Sequence, residues 1–179
     1  MPKNECAHLT PARNREYVIG TKFIVVLRGG VKLPERKFLI DQAWGDFPVS
    51  YFQDDEILGE CSFLDLKVNK WEINSEWSFV QGGAPWIRVE ILRGAPLEGY
   101  LKGQGVFPLI KGSGELLLVF ELDDGGNDLD EILLLRLVMV FWGAGIIYRW
   151  DDGFHVVDEN AIASLPGLEV VRSRLLRCK

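Results

Sequence analysis

The stretch Glu131–Trp142, EILLLRLVMVFW, is the most apolar of the chain, and the fold turns on how it is read. Apart from Glu131 at its start and Arg136 in its middle, it shows no polar face. Such a run fits a strand buried on both sides or a buried helix segment, and periodicity alone does not separate the two. Val138, Val140 and Phe141 favour extended backbone, and Gly143 and Gly145 bound the run. These features predict a central strand. Downstream the apolar character continues to Tyr148, broken by Gly143-Ala144-Gly145. A membrane span needs about 20 apolar residues with few charges. A glycine-broken run with a central arginine therefore reads as two buried strands.

The strand reading spreads outward. Glu115–Leu122 favours its even positions, Leu116, Leu118, Phe120 and Leu122. It would form a long hairpin with Glu131–Trp142 around the acidic loop DDGGNDLDE, residues 123–131. Period-two alternation marks Tyr17–Leu27 through Tyr17, Ile19, Phe23, Val25 and Leu27. It marks Trp86–Leu92 through Ile87, Val89 and Ile91, and Trp71–Val80 through Trp71, Ile73, Trp77 and Phe79. Turn signals between these runs are dense, from Gly29-Gly30 to Asp151-Asp152-Gly153. One helix is signalled: Asp158 as N-cap, Glu159 in the first turn, then Ala161 to Leu165, stopped by Pro166-Gly167. A last strand over Leu168–Leu175 would close the sheet. Thr10-Pro11 would open a short helical turn.

The fold expected is mainly β and a single domain over residues 1–179. It would be an antiparallel barrel, lipocalin-like in architecture, or a strongly bent sandwich, of about 8–10 strands with one short C-terminal helix. The likeness to lipocalins is one of architecture, not of motif, and carries no function. With 179 residues, 47% of them apolar and 26% charged, the chain has material for one core without disulfide or metal staples. The start of the chain shows no apolar signal segment, and three cysteines, Cys6, Cys61 and Cys178, are an odd set. Reduced thiols and a cytoplasmic location are expected, with no membrane contact.

Charge is segregated. Residues 1–40 hold eight Lys/Arg against three Glu, residues 41–168 eight against 22 acids, and residues 169–179 four against one. Basic ends folded back on an acidic body explain this pattern. The tryptophans lie in the acidic middle, which argues against a nucleic-acid face of aromatics and bases. Self-association into a homo-oligomer stays open.

Chemistry-bearing patterns are sparse. The acidic loop lacks the spacing of a calcium-binding EF-hand and reads as a solvated hairpin tip. Cys6-x-His8 offers two ligands where structural zinc takes four, so no metal and no cofactor are expected. A Cys61–His155 nucleophile pair lacks an orienting third group, and Cys61 reads as a small core residue. The informative set combines aromatic and basic residues. Arg88, Arg136 and Arg149 sit on or beside strands that carry Trp77 and Trp142, and the chain has six tryptophans. Inward aromatics with an anchoring guanidinium suit an apolar pocket for an anionic molecule. Arg136 is the sharpest case: within a buried strand it must pair with a carboxylate or line a wet cavity, and the cavity is the reading preferred here. The function expected is a non-enzymatic binding module for a small apolar or anionic ligand or a protein partner. The rivals are an enzyme acting on a small hydrophobic anionic substrate inside a barrel, and an acidic inhibitor or immunity-type protein that binds a basic partner.

Overall fold

A computed structural model describes residues 22–79, 84–103, 116–151 and 153–177. Seven strands form one sheet: β1 (Lys22–Leu27), β2 (Val49–Gln53), β3 (Phe63–Val68), β4 (Ile87–Leu92), β5 (Leu116–Leu122), β6 (Gly145–Trp150) and β7 (Phe154–Val156). Their spatial order is β2-β3-β4-β5-β1-β6-β7, and all neighbours run antiparallel. Among the described residues four α-helices join strands, α1 (Arg36–Trp44), α2 (Lys70–Ile73), α3 (Gly94–Gly103) and α4 (Asp128–Met139), and two follow β7, α5 (Glu159–Ala163) and α6 (Leu168–Arg177). Short 3-10 turns occupy Leu58–Glu60 and Ser75–Phe79.

The sheet is covered on both faces, unequally. Alternation along β1 sends Phe23, Val25 and Leu27 into the larger core and Ile24 and Val26 into the smaller one. In the larger core the sheet meets α1 through Leu39, Ala43 and Trp44, α4 through Leu133, Leu134, Leu137 and Val138, and α6 through Val171 and Leu175. The buried Trp44 indole donates to the Leu133 carbonyl across this layer, at 2.9 Å. The smaller core sets Leu97 of α3 with Leu117, Val119 and Tyr148. Burial of β1 from both sides explains why it reads as a nearly continuous apolar run. Beside it, Gly145 opens β6, where a Cβ would lie 2.2 Å from the Val26 carbonyl oxygen. Only glycine fits so close a strand approach.

The strand-rich antiparallel architecture is present, and Ile87–Leu92 and the even face of β5 lie as their alternation predicts. Among the described residues the sheet is not closed into a barrel: β2 and β7 are separate edges of an open seven-stranded sheet, an arrangement compatible with the bent-sandwich alternative. Three expected strands are helices. Glu131–Trp142 lies mostly in α4, started by a reciprocal capping box. The Asn127 side chain accepts the Leu129 and Asp130 amides at 2.9 and 3.2 Å, and Asp130 returns a carboxylate to the Asn127 amide at 3.0 Å. The acidic stretch expected as a hairpin tip is thus a helix start, where carboxylates face the positive end of the dipole. Trp71–Val80 is α2 plus the 3-10 turn as far as Phe79, with Asn74 accepting the Glu76 amide between them. Leu168–Leu175 falls within α6, whose Leu168, Val171 and Leu175 recur at helical spacing on the core side. The helix signalled at Asp158 is α5, with Asp158 accepting the Ala161 amide at 3.1 Å. The turn expected at Thr10-Pro11 lies outside the described residues.

Candidate functional site

The five residues singled out from the sequence occupy separate places. Arg136 belongs to α4, not to a strand. Its Nε donates to the Ala43 carbonyl and its Nη1 to the Pro166 carbonyl, each at 2.8 Å. Ala43 lies in the last turn of α1, where carbonyls lack helical partners and a cation is favoured. The guanidinium is satisfied by two backbone oxygens and not by the carboxylate that was one of the two arrangements expected of it. Partial burial pulls its pKa below the ordinary arginine value. It borders a recess of about 270 Å³ with Phe38, Gln42, Met139, Val140 and Leu165.

Arg88, exposed on β4, donates its Nε to Asp123 at 2.9 Å. Arg149 on β6 pairs with Asp151 at 2.8 Å, and the other oxygen of Asp151 lies 3.3 Å from His155 Nε2. Trp77 donates its indole N–H to the Leu175 carbonyl at 2.7 Å, and the Lys70 ammonium lies 4.9 Å from its ring centroid. Trp142 follows α4 and is 43% exposed. Cys61, just before β3, and His155, in β7, belong to opposite ends of the strand order. The Cys61 thiol is buried 3.2 Å from the Asp55 carbonyl, and burial raises its pKa, which keeps it protonated.

The larger concavity was not anticipated. It is an open cleft of about 1300 Å³ at one end of the sheet. Its banks are the β1–α1 connection, the 3-10 turn before β3 and the start of α3, with Leu116 of β5 between them. Leu33, Pro34, Ile57, Leu97, Leu101 and Leu116 supply apolar surface. The charges divide by bank. Lys32, Arg36 and Lys37 stand with Glu35 on the first, and Glu56, Glu60 and Glu98 on the others. Arg93 is committed to structure, because its guanidinium donates to the Gly59 and Cys61 carbonyls and ties the 3-10 turn to the start of α3.

The N-terminus of α1 opens on the basic bank. Glu35 precedes the helix in extended conformation, its side chain makes no cap, and the first turn holds no acid. The Arg36 guanidinium stacks 3.7 Å above the Tyr51 ring, while Lys37 pairs with Asp41. The run Lys32-Leu33-Pro34-Glu35-Arg36-Lys37 was legible as basic, but only as part of a charged end. Its meeting with α3 and the 3-10 turn is tertiary.

Among the described residues no group of three His, Cys, Asp or Glu side chains could hold a metal ion, and no helix is long and apolar enough to cross a membrane. Cys6, His8 and Cys178 lie outside the described residues. Comparison with known protein families, with curated proteins and with solved structures gives no match.

Proposed function

We propose that this chain is a binding module that works through the cleft at the α1–α3 end of the sheet, for an apolar molecule carrying an anionic group. The observation that carries this reading is the meeting of an apolar wall, Leu97, Leu101 and Leu116, with the basic bank of Lys32, Arg36 and Lys37. Apolar surface supplies affinity, while a few convergent charges fix orientation. The uncapped N-terminus of α1 adds amide donors on the same bank. A second reading, an extended segment of a protein partner, is favoured by the volume, since small-molecule sites run to about 300–1000 Å³.

Anilinonaphthalene sulfonate, an apolar anion, is a suitable probe. Fluorescence titration should show one saturable site on the folded protein. The double variant Lys32→Glu/Lys37→Glu should weaken it at least about tenfold, or about 1.4 kcal/mol. Ile57→Asp, at a side chain 66% exposed, should weaken it as well without unfolding the protein. Unsaturable binding, or affinity unchanged in both variants, would refute the cleft as the site.

A further inference from the structure

The edge strand β2, VSYFQ, carries no charge, no proline and no bulge. Edge strands left so plain invite another strand. The ladder fixes which groups it offers. The Asn69 amide donates to the Pro48 carbonyl at 2.8 Å, directly before β2, in register with the pairing of Val49 with Val68. Antiparallel bonds to one neighbour recur at every second residue. Ser50 and Phe52 therefore turn their backbone toward β3, while Val49, Tyr51 and Gln53 turn N–H and C=O outward. Among the described residues β2 has no strand on its outer side.

We propose that a second copy of this chain docks on β2, antiparallel about a two-fold axis through Tyr51, so that the two sheets become one. The outward residues match themselves in this register. Tyr51 exchanges both backbone bonds with Tyr51 of the second copy, and Val49 does so with Gln53. Side chains support the same axis. Tyr51, 49% exposed, shares the face of Leu66, and Phe52, 64% exposed, shares the face of Asp65. Phe52 already leans on Phe63, ring centroids 5.7 Å apart. Pairing sets Phe52 opposite Ser50 of the second copy and diagonal to its Phe52, so the two Phe52–Phe63 pairs merge into one covered apolar cluster. This inference does not rest on the cleft reading, although the Tyr51 ring also carries Arg36 of the basic bank, which Phe52→Lys leaves in place.

Sedimentation velocity of the full chain over a range of concentrations tests it. The mass should rise from 20.3 kDa to twice that value with concentration. Tyr51→Pro deletes an amide that points away from β3, and Phe52→Lys brings two ammonium groups together near the axis. Each should hold the protein at one chain with an unchanged far-UV circular dichroism spectrum. Gln53→Lys serves as a further variant should Tyr51→Pro fail to fold. Wild-type protein that stays at one chain at every concentration overturns the proposal. So does a dimer that survives Phe52→Lys and Gln53→Lys.

Discussion

Lys70 and Asp130 form an ion pair buried almost completely, with side chains 5% and 6% exposed. It joins the short helix α2 to the first turn of α4. Removing one partner of a buried pair costs about 3–5 kcal/mol, because the other charge is left in a poor solvent. The two single variants should not be equal. In Lys70→Met the stranded carboxylate keeps the Asn127 amide at 3.0 Å and the helix N-terminus, worth up to about 2 kcal/mol in partly buried geometry. A loss near 3 kcal/mol is expected. In Asp130→Asn the ammonium loses its counter-charge and keeps a neutral amide oxygen and the Trp77 face, at 4.9 Å, and the loss should approach 5 kcal/mol. For a domain whose whole stability is about 5–15 kcal/mol, either change is large. At about 2–4 °C per kcal/mol for this chain length, the melting temperature should fall by about 6–20 °C. The double variant leaves no unpaired charge and should be no worse than Asp130→Asn alone. Urea unfolding followed by tryptophan fluorescence gives the full cycle. Single losses below about 1 kcal/mol, or losses additive to within about 0.5 kcal/mol, would refute the claim that the pair acts as a unit.

Arg136→Met frees the Ala43 and Pro166 carbonyls and should cost about 2–4 kcal/mol, from two bonds to a charged donor, while leaving probe binding in the cleft unchanged; urea unfolding and the dye titration check both halves. Asn127→Ala removes the α4 cap and should lower stability by about 1–2 kcal/mol in the same unfolding assay, whereas Asn127→Asp should cost little. The Ser62 hydroxyl and amide hold the Asp54 carboxyl below its ordinary 3.8. The stability this gives is present above that value and is lost as pH falls through the folded pKa. Carboxyl chemical shifts followed through an acid titration should place Asp54 low in the wild type and nearer its ordinary value in Ser62→Ala. Tyr100 should ionise only at about 12, held up first by burial and then by Glu90 and Glu121, and ultraviolet difference titration should find a tyrosine fraction that resists alkali until the fold opens.

The sequence made the strands legible where one face is wet or the neighbours are β-branched. Ile87–Leu92 alternates buried and exposed as written, and Phe23–Leu27 is apolar on both faces because two layers cover it. The helices were hidden for different reasons. Residues 131–139 are apolar but for Glu131 and Arg136, so no stripe announces a period, and the deciding signal lay upstream in the Asn127-x-x-Asp130 capping box. Leu168, Val171 and Leu175 carry helical spacing directly after Pro166-Gly167, while the β-branched pair Val170-Val171 suits a strand as well. Trp71–Val80 alternates by coincidence. A four-residue helix and a 3-10 turn present no long face, and tertiary bonds fix them, such as those from Asn74 and Trp77 to the Leu176 and Leu175 carbonyls. The cleft was invisible for a stronger reason, since its banks come from three connections far apart in the chain and no local pattern encodes their meeting.

The position of β1 has a consequence for how the protein is made. It is the first described strand, yet both its neighbours come late: β5 starts at Leu116 and β6 at Gly145. While a ribosome extends the chain, Phe23–Leu27 emerges with two unsatisfied sides, and the nearer of its partner strands, β5, follows almost ninety residues later, at about 5–20 residues per second. β2, β3 and β4 can assemble in the meantime as a meander on α1, but that layer is completed only when α4 and α6 appear. Closing such distant pairs is slow, and the nascent segment is exposed to aggregation throughout. Within it, IVVL, residues 24–27, carries the apolar surface that stays uncovered longest.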